Sequence, residues 1–350
     1  MTIQLTKVQL FLLMFVMQTG FVYTSVQNLI IEHGQRDATI QFIIVAVIFF
    51  LQLLFFERTH KYFVLNGFTK AIYLIYWFLY IIGFVIYITY VLTTWVFPNT
   101  PTIVLIAIFL SVCFYASVSR PETAVNIGVV LIPMFFLFLL FMFLTIPNLN
   151  ATNLLPLFYE RSDTWFKGFI YCVYAFGGAE MYVILRKYLI KNDKMTKKAL
   201  TLYFILLTGF YLFSLAFTLM YFSLDEIKIV PEPILYILHS VEVTFVKRLD
   251  LFFVYIWLSW SLVTIVNYVL VIRLVYFEKK RKAPKLQLFI FFAIVAVIAD
   301  LLIRFSVLDF LKHNLVYLMI VFTFLLPTMI ILVNKMRGRT VSESDSQKSS

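Results

Sequence analysis

Tyr174-Ala175-Phe176-Gly177-Gly178-Ala179-Glu180-Met181-Tyr182 lies inside an apolar run, residues 166–185, that is long enough to cross a bilayer. About 20 helical residues span a hydrocarbon core of about 30 Å. Two features of this run do not suit a plain membrane helix. Glycine is scarce, ten in 350 residues, yet two stand together here. Each costs a helix interior about 1 kcal/mol relative to Ala, and an adjacent pair invites unwinding. An acid, Glu180, then follows near the centre of the run, where a carboxylate costs roughly 2.5–3.5 kcal/mol on insertion scales. Three roles are open to it: a contact for a substrate ammonium group, a proton carrier, or a structural hydrogen bond to the broken backbone.

The same reading extends along the whole chain. Hydrophobic residues make up 62% of it, charged residues only 13%, and the mean hydropathy is +0.94. A soluble domain carries about 25% charged residues, so the composition places this chain in a membrane. Apolar runs at about 8–31, 39–56, 71–94, 101–118, 127–146, 166–185, 199–222, 250–272, 286–308 and 314–334 predict about ten transmembrane helices. Turns such as Pro98-Asn99-Thr100-Pro101 and Arg120-Pro121-Glu122 separate several of them. The longer connection 223–249 holds Ile234-Leu235-Tyr236-Ile237-Leu238, too short to span and expected to lie at the membrane interface. Residues 1–334 read as one polytopic domain, and the Ser-rich stretch 335–350 as a disordered cytoplasmic tail.

Charge gives the direction. With the N-terminus inside, 21 of the 29 Lys and Arg fall on the cytoplasmic side, as the positive-inside rule requires. Both termini are then cytoplasmic, and the net charge of +11 reflects membrane topology and not nucleic-acid binding. Cys113 and Cys172 lie in apolar spans, and the four histidines show no ligand spacing, so no metal or cofactor is expected. GxxxxGKS/T, HExxH and GxSxG are absent, which argues against ATP coupling, hydrolysis and any catalytic residue.

The first span has its own weak point, Gln18-Thr19-Gly20-Phe21-Val22-Tyr23-Thr24-Ser25. Gly20 lies 12 residues after Val8, and Gly178 lies 12 after Phe166. Breaks at matching points of the first and sixth helices predict an all-α fold of two inverted five-helix repeats, about 8–146 and 166–334. Unwound backbone must face a cavity or protein, because lipid cannot satisfy it. Gly20 alone would be read as close helix packing; the matched pair points to a midplane site. Elsewhere, Asp300 and Arg304 are spaced for an ion pair within a helix, and Arg248 with Asp250 for a boundary pair. Tyr73, Tyr76 and Tyr80 form a stripe on the third span.

Over almost its whole length the chain resembles the permease-like B subunits of bacterial spore germinant receptors, in the amino acid–polyamine–organocation transporter superfamily. The resemblance rests on Thr6-Lys7-x-Gln9-Leu10 before a Gly-containing first helix, and on Thr100-Pro101 at the fourth span. It rests also on Phe176-Gly177-x-x-Glu180, and on Phe245-x-Lys247-Arg248-Leu249-Asp250-x-Phe252 leading to Trp257, with Pro231 and Pro233 ahead. Tyr23-Thr24-Ser25-Val26-Gln27 replaces the family's usual small residue and Leu-Pro, and Arg186 stands where a Pro is common. The resemblance implies a receptor in the inner spore membrane that senses an amino acid, nucleoside or sugar. Its implied partners are a larger A subunit and a C-subunit lipoprotein. Candidate ligand-binding residues are Thr19, Gly20, Tyr23, Thr24, Phe176, Gly177, Gly178 and Glu180, with Tyr80 and Trp257 beside them. The rival expectation is a proton-coupled amino-acid transporter with Glu180 as the coupling group.

Overall fold

A computed structural model describes residues 3–20, 25–158, 164–190, 195–241, 248–277 and 284–340. Its helices run α1 (Lys7–Gly20), α2 (Val26–Gly34), α3 (Ala38–Thr59), α4 (Gly67–Trp95), α5 (Thr102–Val118), α6 (Pro121–Val130), α7 (Ile132–Phe143) and α8 (Trp165–Cys172). They continue as α9 (Glu180–Leu185), α10 (Lys197–Tyr221), α11 (Leu224–Ile227), α12 (Pro233–His239), α13 (Leu249–Tyr276), α14 (Lys285–Arg304), α15 (Leu308–Met319) and α16 (Leu326–Met336). Among the described residues the only β-pairing is an isolated bridge between Leu5 and Leu189.

Among the described residues, eight helical stretches are long and apolar enough to cross a membrane. The expected ten are not all met at that length: α1, the opening of the first run, and α5, nearly the whole of the fourth, have 14 and 17 residues. Side chains such as Ile43, Ile48, Leu51, Phe289 and Ile294 stay exposed on the outside of the bundle, as lipid-facing residues must. Several boundaries follow from single residues. Asn66 caps α4 by accepting the Thr69 N–H at 2.8 Å. Thr196 caps α10 through the Ala199 N–H. Pro133 separates α6 from α7, since it lacks the N–H that would continue the helix.

Pro327 has a larger effect. It cannot donate to the Thr323 carbonyl four residues earlier, and the chain ahead of it winds as a π-helix over Ile320–Leu325. Gln52 of α3 supplies the missing donor, its Nε2 lying 2.9 Å from the Thr323 oxygen. The Tyr73 hydroxyl donates to the neighbouring Phe322 carbonyl at 3.3 Å.

Two local expectations are altered or met. Residues 234–238 do form a helix, α12, but Ile234, Leu235, Ile237 and Leu238 are all buried in protein. The segment therefore packs its apolar side chains against the bundle. Asp300 pairs with Arg304 at 2.9 Å and also accepts the Thr102 hydroxyl at 2.8 Å, which ties α14 to α5. The tail beyond residue 340 lies outside the described residues.

Candidate functional site

In the first run α1 ends at Gly20 and α2 begins at Val26, and residues 21–24 between them lie outside the described residues. In the second, a short 3-10 turn (Val173–Phe176) ends at Gly177 with ψ 135°, and Gly178 follows with φ +90° before α9 begins. A left-handed φ of this kind is steric strain for any residue with a Cβ. Gly178 is thus the residue that lets the chain turn out of one half-helix and into the other.

The interruptions are fastened together. Gln18 donates from Nε2 to the Phe176 carbonyl at 3.2 Å, and its own amide oxygen accepts the Tyr203 hydroxyl. Tyr211 donates to the Gln18 carbonyl at 2.6 Å, and Ser261 to the Gly20 carbonyl at 3.2 Å. Thr264 bonds the Val16 carbonyl at 2.9 Å. Carbonyls near the breaks, which lipid would leave bare, are thus met by side chains from α10 and α13.

Glu180 is fully buried at the start of α9. Trp77 donates its indole N–H to Oε1 at 3.3 Å, and Thr323 donates its hydroxyl to Oε2 at 3.1 Å. Among the described residues no Lys or Arg forms an ion pair with it. Around this carboxylate stand Tyr73, Tyr76 and Tyr80 of α4, the π-turn, and Tyr268 of α13. Tyr76 stacks on Phe322 with ring centroids 4.2 Å apart, and Tyr80 lies 4.8 Å from Tyr268. The Tyr76 hydroxyl is buried without a hydrogen bond. An acid in this setting can hold a proton, or a cation that enters among the rings.

The other candidates divide by position. Gly20 serves close packing: a Cβ there would lie 2.1 Å from Thr264 Oγ1. Thr19 bonds back to the Phe15 carbonyl at 2.7 Å within its own helix. Gly177 abuts Met319 Cε, and Phe176 stacks between Phe42 and Phe49 of α3, away from Glu180's bonding partners. Trp257 packs edge-on against Tyr87. Tyr23 and Thr24 lie outside the described residues. Gln18, Trp77, Tyr268 and Thr323 complete the cluster and were not among the candidates; Trp77 extends the Tyr73–Tyr80 stripe, and Pro327 is the signal that would have pointed to Thr323.

Arg186, the unusual residue at the end of the sixth run, has a defined partner. Its guanidinium binds the Glu57 carboxylate through two nitrogens, at 2.8 and 3.0 Å, and Tyr182 adds a third bond at 2.6 Å. This forked contact joins the end of α3 to the end of α9 and the residue that follows it.

No curated protein matches the chain closely enough to serve as a relative. A family model of spore permease type, described as spore germination protein, does match, over residues 4–304. That stretch takes in both helix breaks, Glu180, Trp77 and the Arg186–Glu57 contact, and the chain belongs to the spore germination protein family.

Proposed function

We propose that the chain is the permease-like B subunit of a spore nutrient receptor. It resides in the inner spore membrane, with both termini cytoplasmic and ten spans arranged as two inverted five-helix repeats. In this reading α1 with α2 forms the first span and α5 the fourth. A small nutrient, an amino acid, nucleoside or sugar, binds between the breaks at Gly20 and Gly177-Gly178, with Glu180 beneath it. Binding favours one arrangement of the bundle, and a larger A subunit and a C-subunit lipoprotein read that arrangement through differential affinity.

The observation that carries this reading is the direct bond from Gln18 to Phe176, which holds two interrupted helices side by side next to a buried acid. Deleting the gene and screening nutrients for lost germination tests it. Germination unchanged on every nutrient would overturn it.

A proton-coupled amino-acid transporter is the second reading, favoured by the absence of an ion pair to Glu180 among the described residues. Purified protein in liposomes that accumulates an amino acid under an imposed pH gradient would support the transporter. A response that depends on co-expressed A and C subunits, without flux, would support the receptor.

A further inference from the structure

Glu232 immediately precedes α12 and is fully buried, yet among the described residues no donor meets either of its carboxylate oxygens in good hydrogen-bonding geometry. Buried polar side chains rarely go unsatisfied. Among the described residues, the cation paired with it is Lys312 of α15, 3.7 Å from Oε1, well beyond the 2.7–2.9 Å of a charge-assisted hydrogen bond. Its ammonium instead lies over the rings of Tyr87 and Tyr90, 5.4 and 5.0 Å from their centroids. Trp95 faces the same carboxylate and, like Lys312, partly offsets the cost of burying its charge, but among the described residues its indole N–H reaches no hydrogen-bonding geometry. Two acceptors, one fixed donor and an ammonium thus converge through contacts that stay too long to satisfy them fully.

A cavity of about 20 Å³, room for a single water, adjoins Lys312 and is lined also by Ser25, Gly83 and Tyr174 among others. Below it one face of α15 leads to the midplane at helical spacing. Lys312 is followed by Leu315, which packs on Gly83, and by Met319, which packs on Gly177. The Tyr174 hydroxyl donates to the Lys312 carbonyl at 2.5 Å, so the second helix break is tied to the same turn. The neighbouring charges are already engaged with each other: Asp250 binds Arg248 at 2.7 Å and His239 at 3.3 Å.

We propose that Glu232, Lys312 and Trp95 form a second ligand site, at the head of this column, that takes the head group of a zwitterion. The ligand's ammonium sits on Glu232, and its carboxylate on Lys312 and the Trp95 N–H. A simple cation is repelled by Lys312 and a simple anion by Glu232, which sets the ligand class. Seating the head group requires α12 and α15 to part, and the long Lys312–Glu232 contact is what yields. The site is separate from the midplane pocket and stands or falls independently of it.

The test titrates purified full-length protein with a mixture of the non-aromatic proteinogenic amino acids while tryptophan fluorescence is recorded. L-Alaninamide and propionate serve as cationic and anionic controls. The expected result is a saturable change with the amino acids alone, absent in Trp95→Phe and moved at least tenfold to higher concentration by Glu232→Gln or Lys312→Gln. The swap Glu232→Lys with Lys312→Glu separates a site from a brace. It should restore thermal stability but not binding, because the Trp95 N–H then faces an ammonium group. No saturable change, equal response to the controls, or binding restored by the swap would overturn the proposal. A signal lost in Gly178→Leu but indifferent to Glu232→Gln and Lys312→Gln would overturn this site and leave the midplane reading standing.

Discussion

The Gln18 side chain reaches across from the first interrupted helix and donates to the Phe176 carbonyl of the second at 3.2 Å. One amide therefore serves both breaks, since its oxygen also accepts from Tyr203. Gln18→Leu keeps the bulk but strands the Tyr203 hydroxyl in a buried setting. Such orphaned groups cost about 1–3 kcal/mol each. The variant should melt at lower temperature in detergent and lose its nutrient response, whereas Gln27→Leu, which breaks only a contact to Ser214, should keep the response. A full response in Gln18→Leu membranes would contradict this.

Glu180→Gln tests charge separately from shape. The amide oxygen can still accept one of the two bonds from Trp77 and Thr323, so the protein should reach the membrane at normal levels. Germination, or proton-driven uptake if the chain transports, should fall at least tenfold. Thr323→Val removes one bond to a charged group, worth about 1.5–3 kcal/mol, and should give a milder loss. An unaltered response in Glu180→Gln would reduce Glu180 to a structural role.

Gly178 and Gly209 should respond in opposite directions. At Gly178 the φ of +90° and the Tyr268 hydroxyl, 3.2 Å from a built Cβ, oppose any side chain. Gly178→Ala should destabilise by about 1–2 kcal/mol from backbone strain alone. Gly209 lies within α10 with nothing within 4 Å of its Cβ position. Gly209→Ala should therefore stabilise by about 0.5–1 kcal/mol. Melting curves of the two variants decide the matter, and equal shifts would refute the assignment of the turn to Gly178.

Glu232 gives the fold a pH dependence. Burial raises its carboxyl from 4.5 to about 7, with Lys312 and Trp95 offsetting only part of that rise. The folded protein thus holds this proton more tightly than the unfolded chain. The resulting stabilisation is complete below about pH 4.5 and is lost as pH rises toward 7, a change of about 3 kcal/mol. Melting temperature between pH 5 and 8 should fall for the native protein and flatten in Glu232→Gln. Parallel curves for the two would refute the assignment.

What the sequence made legible was set by local chemistry. Paired glycines and a lone acid in an apolar run are costly wherever they occur, so the break at Gly177-Gly178 and the burial of Glu180 could be read directly. The partners could not. Trp77 and Thr323 lie 103 and 143 residues from Glu180, and nothing in their own neighbourhoods marks them as its donors. Gly20 looked like a cavity residue because of its position, yet its space is filled by Thr264 from α13. Lys312 and Glu232 are 80 residues apart, and only the fold brings them within 3.7 Å.

The π-turn at Ile320–Leu325 stores one residue of slack in the last span. A π turn carries one residue more than an α turn, so rewinding the segment to α geometry would rotate Leu326–Met336 by about 100° and slide it by about 1.5 Å. The same rewinding would carry Thr323 away from Glu180. The Thr323–Glu180 contact and the azimuth of α16 are therefore geared to each other.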